Sequence, residues 1–231
     1  MVYKQQKGQD VLEGILVVNK PAGMTSHDVV DRVRRRLGMR RVGHAGTLDP
    51  LATGVLIILV GRSTKLFNRF MDFDKAYRAT LRLGLTTTTA DIQGEVLQEK
   101  DFSGVNEDAL RDAFSGFVGD IEQIPPMVSA VKVKGRRLYE LARKGIEVER
   151  KPRRIHIERI DLKSFSAPDA EFFLECSKGT YVRKLAEDVG EVVGCGACVT
   201  QIERTRVGPY TLDQAVELDQ ISEEDLRLFS E

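Results

Sequence analysis

The sequence predicts an α+β fold, with a mixed, mainly antiparallel sheet flanked by helices and loops. Three observations carry that expectation. Helical stretches interrupt the strand-like runs irregularly, without the regular βαβ alternation of a wound parallel sheet. Neighbouring strand-like runs are separated by short turn segments, as hairpins are. Continuous apolar runs (GILVV, VLIILV) sit beside strictly alternating ones, so strands buried on both faces and on one face are both expected.

The elements follow in order. Gly14 to Val18 is a short apolar run closed by Asn-Lys-Pro, a buried strand entering a turn. In TSHDVVDRVRRRLG, Thr25 with Asp28 three residues on forms a capping-box pattern. Val29, Val30, Val33 and Leu37 line one helical face, Arg32, Arg34, Arg35 and Arg36 the other, and Gly38 stands where a C-cap belongs. Then comes RVGHAGTLDPLATGVL (Arg41 to Leu56), a glycine-rich loop feeding the buried strand VLIILV. In AYRATLRLGL, Tyr77, Ala79, Leu81 and Leu83 alternate with Arg78, Thr80 and Arg82, a half-buried strand. Residues 106–118 read as a helix capped by Asn106. IPPMVSAVKVKGRRLYELARKG reads as a strand, a Lys-Gly turn and a short helix stopped by Gly145, and RRIHIERIDL and EFFLECS as strands. KGTYVRKLAEDVGEVVGCG is a loop feeding a helix with Thr180 as N-cap and a stripe of Val182, Leu185, Ala186, Val189 and Val193. A last helix from Thr211 ends the chain in acidic residues.

The 231 residues are 42% hydrophobic and 30% charged, enough for a sizeable core in a soluble protein. No apolar run approaches the roughly 20 residues of a membrane span, and the polar start MVYKQQKGQD is no secretory leader. Three cysteines are too few for a disulfide framework, so a reducing cytoplasmic setting is expected. The net charge is zero but the signs are segregated. Residues 1–70 carry 12 Lys and Arg against 5 acids, and residues 131–159 carry 11 against 4. Residues 91–122 carry 2 bases against 9 acids, and the segment from Leu212 carries 1 against 7. Two basic segments suit one surface for phosphates; the simpler reading is solvated helix faces.

Several residues are candidates for chemistry. Pro50 restricts Asp49 to extended backbone, and Gly43, Gly46 and Gly54 allow sharp bends and close approach. A carboxylate fixed in this way suits a covalent nucleophile, although Asp before Pro is also an ordinary turn. His44 suits a base, a ligand or a ring that stacks on a nucleobase. Only three histidines occur, without HxxxH spacing, so no metal site is expected. Cys195-Gly-Ala-Cys198 has no partner pair and reads as a turn, and no phosphate-binding glycine loop is present. Tyr77 reads as a core tyrosine. Tyr181 and Arg183 open a helix whose free N–H groups favour an anionic partner, and Arg183 is suited to a bidentate pair with a carboxylate.

In combination these segments resemble a known family. GILVVNKPAGMTSHDVV, VGHAGTLDPLATGVL, KAYRATLRLG with TADIQGE, IPPMVSAVKVKGRRLYELARKG, CSKGTYVRKLAEDVG and GCGACVTQIERTRVG occur in order, and from about Gly14 to Tyr210 the chain resembles the TruB family of tRNA pseudouridine synthases. The resemblance implies the pseudouridine synthase fold and a reaction without cofactor or metal, converting the T-loop uridine at tRNA position 55 to pseudouridine. It implies Asp49 as nucleophile and leaves open whether attack or elimination at the sugar is productive. Tyr77 matches the tyrosine that stacks on the flipped uracil, Arg183 the arginine paired with the nucleophile, and Tyr181 a tyrosine beside the base. His44 matches the histidine that enters the T-loop in place of the extruded nucleotide, and Ile202 an apolar position of the base pocket. Lys20 and Asp91 match motif positions with a supporting role. Arg32–Arg41 and Lys132–Arg154 become the expected RNA surface.

The expected organisation is a polar extension over 1–13, a catalytic domain over 14–211 and an acidic helical tail over 212–231, with no PUA domain. The expected partner is the T-arm of tRNA, met by a monomer that needs no protein partner. Two other readings are a non-catalytic tRNA-folding factor of the same fold and a guide-RNA-directed pseudouridine synthase.

Overall fold

A computed structural model describes residues 3–6, 9–129, 131–133, 135–142 and 144–229. In chain order the elements are β1 (Tyr3–Gln6), β2 (Gln9–Leu12), β3 (Gly14–Lys20), α1 (Ser26–Arg36), β4 (Val42–Ala45), β5 (Thr53–Val60), α2 (Phe67–Met71) and β6 (Lys75–Leu83). There follow β7 (Leu85–Thr87), β8 (Val96–Glu99), α3 (Glu107–Ser115), β9 (Gly119–Gln123), β10 (Lys132–Val133), β11 (Arg136–Arg137) and α4 (Leu138–Ala142). The remainder is β12 (Arg153–Ser166), β13 (Asp169–Cys176), α5 (Val182–Val192), β14 (Ala197–Val207), β15 (Tyr210–Thr211) and β16 (Val216–Glu217). No described helix is long and apolar enough to cross a membrane. The chain divides into two compact units, Met1–Ala76 with Glu203–Glu231, and Tyr77–Ile202.

The first unit is built on a mixed sheet. β5 pairs antiparallel with β3 and β4 and parallel with the start of β14 in this unit, and β16 pairs parallel with β3. Val55, Ile57 and Leu59 of β5 pack with Ile15, Val17, Ala45, Phe70 and Val207 as the core. The Phe70 ring meets Phe73 at 5.5 Å, Phe229 at 5.1 Å and Tyr210 at 5.9 Å between centroids.

Helix α1 forms as its pattern predicts. Val29, Val30 and Val33 are fully buried, each worth about 1.5–3 kcal/mol relative to exposure. The Asp28 N–H donates to Thr25 Oγ1 at 3.1 Å and the Thr25 N–H to Asp28 Oδ2 at 2.8 Å, a closed capping box. At the other end Gly38 adopts φ +61° and the Met39 N–H reaches back to the Arg34 carbonyl, the Schellman closure. Thr25→Ala is expected to lower unfolding stability by about 0.5–2 kcal/mol, read as a lower urea midpoint at unchanged slope.

The segment from Leu212 corrects the expectation of an acidic helical tail. It forms single 3-10 turns at Leu212–Gln214 and Glu223–Asp225 with β16 between them. Thr211 with Gln214 and Ser222 with Asp225 close capping boxes, each over a single 3-10 turn. The apolar residues that follow do not keep to one helical face; Leu218, Ile221 and Leu226 are buried one by one as the segment crosses the unit. Asp219 pairs with Arg32 at 2.8 Å, and the Ile221 carbonyl accepts from Arg36. Part of the basic face of α1 is thus already engaged by the acidic segment.

In the second unit the strand order is β14-β6-β13-β12-β9, and β12 runs antiparallel to both β13 and β9. The Tyr77–Leu83 stretch of β6 shows the expected alternation, with Tyr77, Ala79, Leu81 and Leu83 buried and Arg78 exposed. α3 is capped by the Asn106 side chain, and Phe114 packs on Phe172 with ring centroids 5.2 Å apart. α5 departs from expectation at its start. Tyr181 is the N-cap, and the Thr180 hydroxyl donates instead to the Ser177 carbonyl at 3.1 Å.

Candidate active site

The candidate residues fall into two groups. His44, Asp49 and Lys20 belong to the first unit; Tyr77, Asp91, Tyr181, Arg183 and Ile202 belong to the second.

In the first unit the stretch expected to be one loop is a short strand followed by a loop. His44 lies on β4, paired with Ile58 of β5 and half-buried. Gly46, at φ +82°, ends that strand and opens the loop that carries Asp49. The loop backbone is held residue by residue. Ser26 is buried; its Oγ accepts from the Leu48 N–H at 2.8 Å and donates to the Leu48 carbonyl at 3.1 Å. Pro50 accepts from the Gly23 N–H at 2.8 Å, and the Ala52 N–H closes a turn on the Asp49 carbonyl at 3.0 Å. Asp49 is half-buried between these anchors.

Lys20 ends β3 with its side chain fully buried. Its Nζ donates to the carbonyls of Ala52 at 2.6 Å, Pro21 at 2.8 Å and Pro50 at 3.5 Å, so one ammonium ties β3 to both sides of the turn after Asp49. Burial pulls its pKa from 10.5 down to about 8, opposed by the Asp49 carboxylate and reinforced by the Arg204 guanidinium. Between about pH 8 and 10.5 the unfolded chain therefore binds a proton here that the folded chain has released, and this group makes stability rise with pH. Denaturation midpoints taken at about pH 7 and about pH 9.5 are expected to show that rise in wild type and lose it in Lys20→Met.

In the second unit Arg183 enters through α5 and is buried. Its Nη1 donates to the Thr89 carbonyl and its Nη2 to the Val128 carbonyl, both at 2.8 Å. The carboxylate facing it in this unit is Asp91, 3.7 Å from Nη1, which is a longer and single-armed contact rather than a bidentate fork. Asp91 is also buried and is held by the Thr89 hydroxyl at 2.7 Å and the Gln93 N–H at 3.0 Å. Asp91 is thus a fixed countercharge for Arg183 within this unit.

Tyr181 is half-buried just before Arg183. The buried Gln123 grips its backbone twice, accepting from the Tyr181 N–H at 2.8 Å and donating to its carbonyl at 3.2 Å. Tyr77 on β6 and Ile202 on β14 are both buried. Of the expected RNA surface, Arg32, Arg35, Arg36, Arg40 and Arg41 are exposed and Arg34 is half-buried; Arg32 bonds Asp219, Arg34 the Val42 carbonyl, Arg35 the Asp31 carbonyl, Arg36 the Ile221 carbonyl and Arg41 the Thr64 hydroxyl. In the second basic stretch Lys134 and Arg143 lie outside the described residues.

Ser26, Gln123 and Arg204 do not stand out as site residues in the sequence. Ser26 only follows the N-cap of an expected helix there, and Gln123 falls in a stretch whose pattern does not single it out. Arg204 carries a signal that alternation reveals: it stands two residues after Ile202 on β14, at an inward position where a charge is out of place.

Residues 34–182 match the family model for the TruB family pseudouridylate synthase N-terminal domain, and residues 183–228 that for the tRNA pseudouridylate synthase B C-terminal domain. The tRNA pseudouridine synthase B of Bordetella avium is 48% identical over 217 residues, 93% of this chain and 88% of that protein. That of Pseudomonas aeruginosa is 50% identical over 208 residues, 90% of this chain and 68% of that protein. Among solved structures, a Cbf5–Nop10–Gar1 complex matches 90% of this chain at 28% identity with a TM-score of 0.71. An archaeal box H/ACA Nop10–Cbf5 complex matches 90% at 26% with a TM-score of 0.66. This chain spans about half the length of the matched chain in both, 53% and 52%.

Proposed function

The chain belongs to the TruB family of pseudouridylate synthases, and on that footing we propose that it isomerises the T-loop uridine at tRNA position 55 with Asp49 as nucleophile. The relatives that share about half of its residues are tRNA pseudouridine synthases, and tRNA pseudouridine synthesis, an isomerisation, is the activity assigned here. The observation that carries the finer reading is the mounting of Asp49. Its neighbours Leu48, Pro50 and Ala52 are tied by buried or backbone groups, and Asp49 itself is half-buried on a turn. A reacting group held in this way loses little freedom on approach to substrate.

In the proposed reaction the Asp49 carboxylate attacks the sugar at C1′ while the N1–C1′ bond breaks, and uracil leaves with the bonding pair. The uracil turns, C5 attacks C1′ and expels the carboxylate, and the proton on C5 passes to solvent as N1 gains one. Substrate and product have the same atoms. Tyr77 stacks on the extruded uracil, Tyr181 lies beside it, and Ile202 supplies an apolar wall. His44 takes the place of the extruded nucleotide in the loop, offsetting unstacking costs of a few kcal/mol. Arg183 supplies a positive charge for the acidic group at the sugar, and Lys20 and Asp91 hold the groups beside them.

Release of tritium from tRNA labelled at uracil C5 tests the activity, and mapping of pseudouridine in the product tests the position. Release with the label at position 55 and none from other loops is the expected result. Absence of release under conditions where tRNA binds supports the tRNA-folding reading instead. Conversion of an isolated T-arm hairpin by the chain alone separates this reading from a guide-RNA-directed one, which needs further components.

A further inference from the structure

We infer that Arg204 is a positioning residue for the Asp49 loop, fixing the spacing of the loop's two ends with a single guanidinium. This rests on the reading of Asp49 as the reacting carboxylate. Arg204 Nε donates to the Val55 carbonyl at 2.7 Å and Nη2 to the Gly46 carbonyl at 2.9 Å. Gly46 follows the last residue of β4 and Val55 lies at the start of β5, so the two bonds bracket the whole span that carries Leu48, Asp49 and Pro50.

The backbone is shaped to admit this side chain. Gly46 has φ +82°, and a Cβ there would stand 3.3 Å from Arg204 Nη1. Gly54 has φ +98°, and a Cβ there would stand 2.3 Å from the Arg204 carbonyl oxygen, an impossible contact. The two strands are parallel with Arg204 opposite Gly54, so the glycine allows the main chains to close while the guanidinium reaches under the loop. Only arginine offers two N–H directions on a rigid plane at permanent positive charge; lysine offers one point charge on a flexible stem. The side chain is 2% exposed, so it holds the loop from beneath and leaves the substrate side to Asp49.

The test uses the full chain with whole tRNA, measuring kcat, KM and thermal stability for wild type, Arg204→Met, Arg204→Lys and Gly46→Ala. Arg204→Met is expected to lower kcat by about 100-fold with KM within about threefold, as a displaced reacting group does. Arg204→Lys is expected to recover part of that loss, to about tenfold below wild type, by holding one carbonyl at a time. Gly46→Ala, which presses a methyl against the guanidinium, is expected to lower kcat about tenfold at unchanged KM. A residue that only stabilises the unit would move the melting temperature and leave kcat of the folded protein alone. If Arg204→Met retains wild-type kcat, the inference is overturned while the function stands. If it fails to fold, wild-type kcat in both Arg204→Lys and Gly46→Ala overturns the inference equally. Wild type that converts no tRNA overturns the reading of Asp49, and this inference with it.

Discussion

Asp49→Asn is expected to lower the rate of pseudouridine formation by at least about 10³-fold while tRNA affinity stays within about threefold. The amide matches the carboxylate in shape but has neither its charge nor its nucleophilic oxygen. The loop is held through Leu48, Pro50 and Ala52 and through the Asp49 carbonyl, so its path survives the substitution. The effect therefore belongs in kcat and not in folding, and single-turnover conversion at saturating protein reads it directly. Retention of more than about a tenth of the wild-type rate would remove Asp49 from the chemistry. A second consequence follows from Lys20. The Asp49 charge opposes the fall in the Lys20 pKa, so its loss lowers that pKa below about 8 and shifts the rise of stability to lower pH.

The parts of the fold that the sequence made legible are those decided by local pattern. α1 was readable from its stripe of valines, its capping box and its closing glycine, and all three are present. β5 and β6 were readable as a continuous run and an alternation, since burial on two faces and on one leaves those signatures. The failures share a cause. Thr180 and the segment after Thr211 both carry local capping signals, but tertiary contacts decided the outcome: Gln123 holds the Tyr181 backbone, and the core takes up Leu218, Ile221 and Leu226 separately. The candidates Asp49, Tyr181 and Arg183 stand out in the sequence as residue types at distinctive turns. Their supports do not, because Ser26, Gln123 and Arg204 act across 22, 58 and 149 or more residues of chain, beyond any local pattern.

The charge pattern shows the same limit. Clustered arginines on α1 read as a phosphate surface, yet Arg32 and Arg36 are engaged by Asp219 and the Ile221 carbonyl. An exposed pair of this kind contributes about 0–1 kcal/mol, small enough for a phosphate to displace Asp219 from Arg32. The sequence established the sign of the helix face but not which of its charges are taken.

Arg183→Met is expected to cost both stability and activity, and the two losses can be separated. The side chains of Arg183 and Asp91 are only 3% and 9% exposed, so the substitution leaves a carboxylate buried without its cation. Breaking such a pair costs about 3–5 kcal/mol, and the Thr89 and Val128 carbonyls lose their donors as well. Asp91→Asn in the same chain removes the stranded charge and keeps an acceptor for the Thr89 hydroxyl and the Gln93 N–H. The double variant is therefore expected to regain part of the lost stability, with a coupling of about 1–3 kcal/mol in a double-mutant cycle. Its activity is expected to stay at the level of Arg183→Met, because the charge that serves the reaction is still missing. Recovery of turnover together with stability would mean that Arg183 serves only to neutralise Asp91. Recovery of stability alone places its guanidinium in the reaction.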